Sequence, residues 1–498
     1  IAAVGNAMQK SISNSPYEIA DIGRESHVGP EIVFDKIYAK AMKPNIVVIL
    51  TDDHAALDGR LIEFMPHTKE IFIEQGATFS DFHSSTPLCC PSRVNFLTGE
   101  YSHNNGQYNN IGVNFNTSET LASELQKKGY YTFLVGKFLN GYGEGEGDYY
   151  GPNVPLGWNR WAAMKERRYY DYNLFIADES RIADMEFYGQ GAQNYSTDIF
   201  SELAVDYILE APENKPIFAW IAPYAPHGPG TVASRYENTE CSPPNWKPAS
   251  WHERNVSDKP LYVRQRANTV PGDGEELNKT CRVLLAVDDL VESVYGALES
   301  TGRLDNTIFI LAGDNGMMMG EHGLIGKSPP YQTQIPFYVH WPKRIGTEPF
   351  TVSERVQNVD LAPTLCEIVG CRMREADGVS FTSLLHKKKS RLSRDAVLEE
   401  LVVTESYVPP WFAVTTTSSS PLASQGCAPF GTKGCKWHYI EYPTTGESEL
   451  YDISNGPCWA WREGMSGDPC ELNNQANNPA YNSIKAQLQT RLAELRED

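Results

Sequence analysis

Nothing in this sequence approaches the roughly 18 consecutive apolar residues that a bilayer-spanning helix needs, although hydrophobic residues fill 41% of its 498 positions. No membrane partner is therefore expected. Positive charge is also scarce: 43 Lys and Arg stand against 63 Asp and Glu, a net charge of −20 with a pI near 5.1. Such a surface repels polyanions. Nucleic acid is excluded as an expected partner, and long, heavily sulfated glycans would be poorly steered. The start, Ile1-Ala2-Ala3-Val4, lacks the basic n-region and apolar h-region of a secretory signal and reads as a processed or trimmed start.

What is present is a globular composition, 21% charged, long enough for one large domain plus a smaller one or for two to three units. Ten cysteines include the adjacent pair Cys89-Cys90; the other eight are Cys241, Cys281, Cys366, Cys371, Cys427, Cys435, Cys458 and Cys470. Proximity alone predicts disulfides Cys241–Cys281, Cys366–Cys371, Cys427–Cys435 and Cys458–Cys470. Sequons for N-glycosylation stand at Asn116, Asn194, Asn255 and Asn278. Paired cysteines and sequons together point to a secretory-pathway lumen or the exterior: extracellular, periplasmic or cell-wall, or lysosome-like.

Residues 1–43 carry no clear period and read as an N-terminal extension. From Pro44 the pattern changes. Asn45-Ile46-Val47-Val48-Ile49-Leu50 is a continuous apolar, β-branched run, the mark of a buried parallel strand. It ends in Thr51-Asp52-Asp53. The same design recurs at Thr307–Leu311, which runs into Gly313-Asp314-Asn315-Gly316. In open α/β sheets ligands collect at the carboxyl ends of such strands. Asp52, Asp53, Asp314 and Asn315 offer oxygen ligands only, a set that suits Ca²⁺ or Mg²⁺ rather than Zn²⁺. Ca²⁺ is preferred, with Mg²⁺ the alternative.

Two further apolar runs end in titratable residues. Tyr131–Val135 leads into Gly136-Lys137, and Ile217–Ala222 leads into Pro223-Tyr224-Ala225-Pro226-His227. Gly320-Glu321-His322-Gly323-Leu324-Ile325-Gly326-Lys327 follows the second acidic loop; His322 reads as loop structure and the intervening Met317-Met318-Met319 as core. Residues 229–280, rich in Pro, Trp and Asn, read as a long ordered insertion near a site mouth. Asp288 and Asp289 read as the polar face of a helix. Past Arg394-Asp395 the pattern shifts to short strands and turns, with a hairpin at Trp437–Tyr442 and Glu449–Asp452 and a closing helix through Leu488 and Leu492.

The organising stretch is Leu88-Cys89-Cys90-Pro91-Ser92-Arg93-Val94-Asn95-Phe96-Leu97-Thr98-Gly99. It reads as a turn followed by a short helix, with Pro91 at the first helical position and Gly99 closing the far end. Cys89 then stands at a helix N-terminus, where free N–H groups favour an anion or a polarised oxygen. The string Cys-x-Pro-Ser-Arg followed by Leu-Thr-Gly resembles the signature of the type I, formylglycine-dependent sulfatases of the alkaline phosphatase superfamily. The variant with Cys90 and with Gly-Lys-x-Leu-Asn looks most like N-acetylglucosamine-6-sulfatases and arylsulfatases of fungi and algae.

The resemblance implies an alkaline-phosphatase-like α/β fold, a central mixed sheet flanked by helices, with a smaller C-terminal α+β domain of antiparallel sheet plus helix. The boundaries expected are 44–395 for the catalytic domain and 396–498 for the C-terminal subdomain. It implies that Cys89 is oxidised to Cα-formylglycine by a formylglycine-generating enzyme and is the nucleophile. Of the hydrated aldehyde's two hydroxyls, one would attack sulfur and the other would later expel sulfate. Arg93 would orient and help ionise it, Lys137 and Lys327 would neutralise the sulfate oxygens, and His227 would hold the sulfate or serve the leaving group. Asp52, Asp53, Asp314 and Asn315 match the metal ligands, with residue 89 completing the shell. One departure stands out: the family's Lys-x-His has Leu139 in the histidine's place. The expected reaction is hydrolysis of a sulfate monoester of the arylsulfatase type, the acidic surface favouring small aryl sulfates; an N-acetylglucosamine-6-sulfatase-like glycan sulfatase is the alternative. The rivals are phosphodiester or phosphonate hydrolysis, and a silent binding protein for sulfated glycans. The intact set of charged residues argues against the last. Oligomeric state is left open.

Overall fold

The computed structural model describes residues 43–111, 114–143, 152–241, 247–266, 275–387, 391–424 and 435–497. The extension before residue 43, parts of the 229–280 insertion and Cys427 lie outside the described residues. The main sheet takes its strands from β1 Asn45–Thr51, β2 Ala77–Phe79, β3 Tyr131–Gly136, β4 Arg160–Met164, β5 Tyr172–Asp178, β6 Asp184–Tyr188, β7 Ile217–Ala222, β8 Thr307–Gly313, β9 Phe337–His340 and β10 Phe350–Val352. They lie in the order β10-β2-β9-β8-β1-β7-β3-β4-β5-β6. The five central strands β8, β1, β7, β3 and β4 are mutually parallel, and antiparallel neighbours join them on either side. The sheet is mixed, as the resemblance implied.

The apolar runs became these central strands because both faces of the sheet are covered. On one face α1 Cys89–Thr98 packs Val94, Phe96 and Leu97 against Val48, Leu50 and Trp220. On the other, α2 Ser196–Glu210 and α3 Glu275–Ser300 bring Phe200, Ile208, Leu290 and Val294 against Val47, Ile49 and Phe133. Every residue of β1, β3, β7 and β8 is buried, which leaves no room for a polar, alternating pattern. Met318 is buried, and Met317 and Met319 pack against the core. Asp288 departs from expectation. It is 2% exposed and accepts from Thr68 N, Thr68 Oγ1 and His67 N, so it holds a neighbouring turn rather than facing solvent. Asp289 stays at the surface, paired with Arg235.

After α4 Leu361–Val369 the chain builds a four-stranded antiparallel sheet from β11 Ala396–Leu401, β12 Trp411–Thr416, β13 Trp437–Tyr442 and β14 Glu447–Asp452. The predicted hairpin is β13–β14, with Tyr442 opposite Glu447. The closing helix α5, Asn482–Glu497, lays Leu488 and Leu492 into a core with Leu398, Val414 and Tyr439. Cys241–Cys281, Cys366–Cys371 and Cys458–Cys470 are bonded as proximity suggested.

Candidate active site

The parallel strands deliver their side chains to one edge, and register sets which residues meet. Thr51 lies opposite Gly313, so Asp52 and Asp314 follow side by side, and Asp314 N donates to Thr51 O at 2.9 Å. An extended strand sends successive side chains to opposite faces. Asp53 escapes this by taking φ +57°, a left-handed turn that Asp tolerates better than most residues, and both carboxylates enter one site. Gly136 lies opposite Ala222 and has φ +103°. A Cβ there would stand 2.2 Å from Ala222 O. That close approach lets Lys137 N donate to Ala222 O at 2.8 Å and turns Lys137 toward Asp52.

The signature forms α1, with Leu88 extended before it and Gly99 left-handed at φ 78° after it. Pro91 is the third helical residue rather than the first. The first turn has no intrahelical use for its N–H in either case, so proline is accommodated. Cys89 opens the helix, 1% exposed, with Sγ 3.4 Å from Asp52 Oδ1 and 2.7 Å from Lys327 Nζ. Burial, and then the Asp52 charge, push its thiol far above the ordinary range. As a plain cysteine it is a neutral thiol and a weak nucleophile. Arg93, one turn on, is 1% exposed; its Nε donates to Asp314 Oδ2 at 2.9 Å and its Nη1 to Lys137 O at 2.8 Å.

Cations and carboxylates alternate around Cys89. Burial raises the Asp52 carboxyl, but Lys137, His227, Arg93 and Lys327 together outweigh it and hold it well below the usual range. Lys327 Nζ donates to Asp53 Oδ1 at 2.6 Å. Asp314 is pushed up to about 6 by burial and by Asp52, which outweigh the opposing pull of Arg93 and Lys137. His227 Nδ1 faces Gly228 O at 2.7 Å and Tyr224 Oη at 2.8 Å, and its Nε2 stands 3.4 Å from Asp53 Oδ2. A carbonyl partner requires the proton on Nδ1; Nε2 is then the nitrogen turned toward the site.

The donor set fits a divalent cation. Asn315 donates through Nδ2 to Asp53 Oδ1 at 2.7 Å, while its Oδ1 is buried with no hydrogen-bond partner. An orphaned carbonyl oxygen beside three carboxylates is the environment a hard cation takes. Ligand atoms of Asp52, Asp53, Cys89 and His227 lie within 4.8 Å of one another. His227 was not among the expected ligands. The oxygens of Asp314 are engaged by Arg93 Nε and by Asp53 N and Asn315 N.

Sequence reasoning overlooked how Lys327 is held. Its loop is gripped by the insertion: His252 N donates to Gly320 O at 2.9 Å, His322 N to Ser250 O at 2.6 Å, and His322 Nδ1 meets Glu253 Oε2. Gly320 has φ +127°, and a Cβ there would meet Trp251 Nε1 at 2.6 Å. Leu139, in the place of the expected histidine, is 2% exposed in the apolar core and does not reach the site chemistry.

Comparison with known proteins follows the same geometry. Residues 44–371 match the family model described as Sulfatase. An N-acetylglucosamine-6-sulfatase from Homo sapiens is 32% identical over 389 residues, covering 73% of this chain and 68% of that one. The chain belongs to the sulfatase family. The N-acetylglucosamine-6-sulfatase of Capra hircus is likewise 32% identical, over 72% of this chain and 66% of its own length. An arylsulfatase from Volvox carteri is 29% identical over 67% and 56%. The chain thus spans about two thirds of the length of the first two relatives and 56% of the algal one. Among solved structures, a protein in complex with its substrate D-glucosamine-2-N,6-O-disulfate superposes with a TM-score of 0.69, covering 92% of this chain and 98% of the other at 22% identity. A phosphonate monoester hydrolase from Silicibacter pomeroyi gives a TM-score of 0.64 at 19% identity, over 91% and 95%. At those identities the structures establish the shared fold. As a sulfatase, the chain has the family's formylglycine and divalent metal implied for it.

Proposed function

We propose that this chain hydrolyses sulfate monoesters of small amino-sugars or phenols, with residue 89, as formylglycine, attacking sulfur. The observation that carries the reading is Cys89 at the N-terminus of α1, 2.7 Å from Lys327 and 3.4 Å from Asp52. Converted and hydrated, position 89 supplies a geminal diol, and a divalent cation on Asp52, Asp53, Asp314 and Asn315 would supply Lewis-acid charge to a sulfate oxygen. Ca²⁺ is our choice, since carbonyl and carboxylate oxygens on unequal loops suit its flexible shell.

The chain's own residues do the rest. The α1 N-terminus and the cations Lys137 and Lys327 offset the charge on the sulfate oxygens as it builds. Arg93 ties Asp314 to the Lys137 main chain and so holds the two sides of the site in register. His227, its Nδ1 proton fixed by Gly228 O, presents Nε2 to the leaving-group oxygen and gives it a proton when charged. The amino-sugar reading draws on the relatives above. Aryl sulfates are the second reading, favoured because Leu139 removes one expected acid and aryl leaving groups need the least help.

Maturation by a formylglycine-generating enzyme in a secretory-pathway lumen fits the disulfides and sequons, and a relative from Drosophila melanogaster is an extracellular sulfatase homologue. Among the described residues no helix is long and apolar enough to cross a membrane. Peptide mass spectrometry paired with a substrate panel tests the reading. Oxidation at Cys89 and not Cys90, with turnover of N-acetylglucosamine 6-sulfate or 4-nitrophenyl sulfate, is expected. Activity from an unmodified chain, or a preference for aryl phosphonates, would overturn it.

A further inference from the structure

Lys327 reaches the site from a loop, and its backbone is bracketed by two residues in the left-handed region. Gly326 has φ +109° and Ser328 φ +91°. Glycine takes that conformation freely and serine does not. A residue so strained persists only where its surroundings over-determine it. Ser328 is 3% exposed, and its carbonyl accepts from Trp411 Nε1 at 2.7 Å. Trp411 opens β12 of the C-terminal sheet and is fully buried.

A second bond comes from the same sheet. Tyr331 Oη, four residues past Lys327, donates to the Glu449 carboxylate, 3.0 Å from each oxygen. Glu449, on β14, is fully buried and also accepts from Tyr442 Oη at 2.6 Å and from Tyr451 Oη. A buried carboxylate held by three phenols is a rigid anchor. Leu88, which precedes Cys89, and Leu324, three residues before Lys327, lie in one apolar core with Trp411, Tyr442 and Tyr451. Both chain segments that meet at residue 89 therefore rest on the C-terminal sheet. Trp437, on β13, is a contrast: it is as deeply buried, yet its Nε1 has no hydrogen-bond partner.

We propose that Trp411 is a positioning residue for the reaction. Its indole N–H fixes the Ser328 carbonyl and so holds the Lys327 ammonium at residue 89, with Tyr331 and Glu449 as the second support. The inference rests on the sulfatase reading above and extends it to the C-terminal sheet, which carries none of the groups assigned to the reaction. One hydrogen bond to a carbonyl adds little to stability, but here it sets where a charge stands. A charge displaced from the transition state it should meet costs rate.

Trp411→Phe keeps an aromatic ring in the core and removes the N–H. It should lower kcat/KM about 10-fold. The factor should be the same on N-acetylglucosamine 6-sulfate and on 4-nitrophenyl sulfate, because Lys327 meets the sulfate and not the leaving group. On a Lys327→Ala background Trp411→Phe should cost little further. Trp437→Phe, an equal truncation in the same sheet, should leave kcat/KM unchanged. If Trp411→Phe does not fold, Tyr331→Phe carries the test, with a smaller loss that likewise vanishes on the Lys327→Ala background. Four results would each overturn the role of Trp411: a folded Trp411→Phe as fast as wild type, a loss that differs between the two substrates, one that adds in full to that of Lys327→Ala, or an equal loss in Trp437→Phe. If the wild type turned over neither substrate, the sulfatase reading itself would fail, and this inference with it. That failure shows in the wild type alone, before any substitution is made.

Discussion

His322 Nδ1 and Glu253 Oε2 stand 2.6 Å apart, both side chains buried, although 69 residues separate them in sequence. This pair joins the insertion to the loop whose last residue, Lys327, reaches Cys89. Lys327 is only partly buried, and its position depends on how firmly the loop is held. Glu253→Ala should lower kcat/KM about 10-fold, and Glu253→Gln should recover most of that, because an amide oxygen still accepts from Nδ1–H. The discriminating measurement is a double-mutant cycle. If Glu253 works by positioning Lys327, Glu253→Ala should cost little more on a Lys327→Ala background. Full additivity would show that Glu253 serves only the fold.

This clamp also marks where sequence reasoning stopped. Asp52, Asp53, Lys137, His227, Asp314 and Asn315 were legible because each follows a continuous apolar run, and such runs become parallel strands whose carboxyl ends share an edge. Cys89 was legible from its motif. Glu253 follows no such run. A lone carboxylate in an insertion looks like solvated surface until the fold pairs it with His322. Pro91 fell two positions later in its helix than expected, since residues 89 and 90 already have helical geometry. Asp288 misled for the opposite reason: its partner, Thr68, lies 220 residues away.

His227 offers a sharper mechanistic test. With Nδ1 held by Gly228 O at 2.7 Å, its Nε2 is the nitrogen available to a leaving group. Phenolates leave without help, whereas sugar alkoxides need a proton, and a general acid contributes about 10²–10⁴-fold. His227→Ala should therefore lose far more rate on N-acetylglucosamine 6-sulfate than on 4-nitrophenyl sulfate. Equal losses would mean that His227 binds sulfate without donating a proton.

A second histidine predicts a pH dependence of stability rather than of rate. His438, on β13, is 5% exposed and paired through Nδ1 with Glu471; Glu399 stands 3.7 Å from its Nε2. Burial works against the charged ring and Arg355 adds to that. Glu471 and Glu399 outweigh both, so its pKa lies above the ordinary value. A raised pKa in the folded state means that the stabilisation is fully present below the unfolded value of about 6.5. It fades as pH climbs through the folded value. The Tm gap between wild type and His438→Gln should be widest near pH 5 and narrow toward pH 9. A gap that widened with pH would contradict the pairing.

The last expectation concerns the metal. Asp52, Asp53 and Asp314 bring three carboxylates together, and the buried Oδ1 of Asn315 has no hydrogen-bond partner. Arg93, Lys137 and Lys327 offset the charge but leave that oxygen unsatisfied. A cation bound there stabilises the folded state by mass action, about 2.7 kcal/mol at a hundredfold excess over Kd. For a domain this large that amounts to a rise of several degrees in Tm. Dialysis against a chelator should lower Tm, and Ca²⁺ should restore it in a concentration-dependent way and at lower concentration than Mg²⁺, whose tighter octahedron fits this set less well. Asp53→Asn should blunt the Ca²⁺ response even where the protein stays folded. A Tm indifferent to chelator and to both ions would remove the metal from the mechanism, leaving Lys137, Lys327 and the α1 N-terminus to carry the sulfate charge alone.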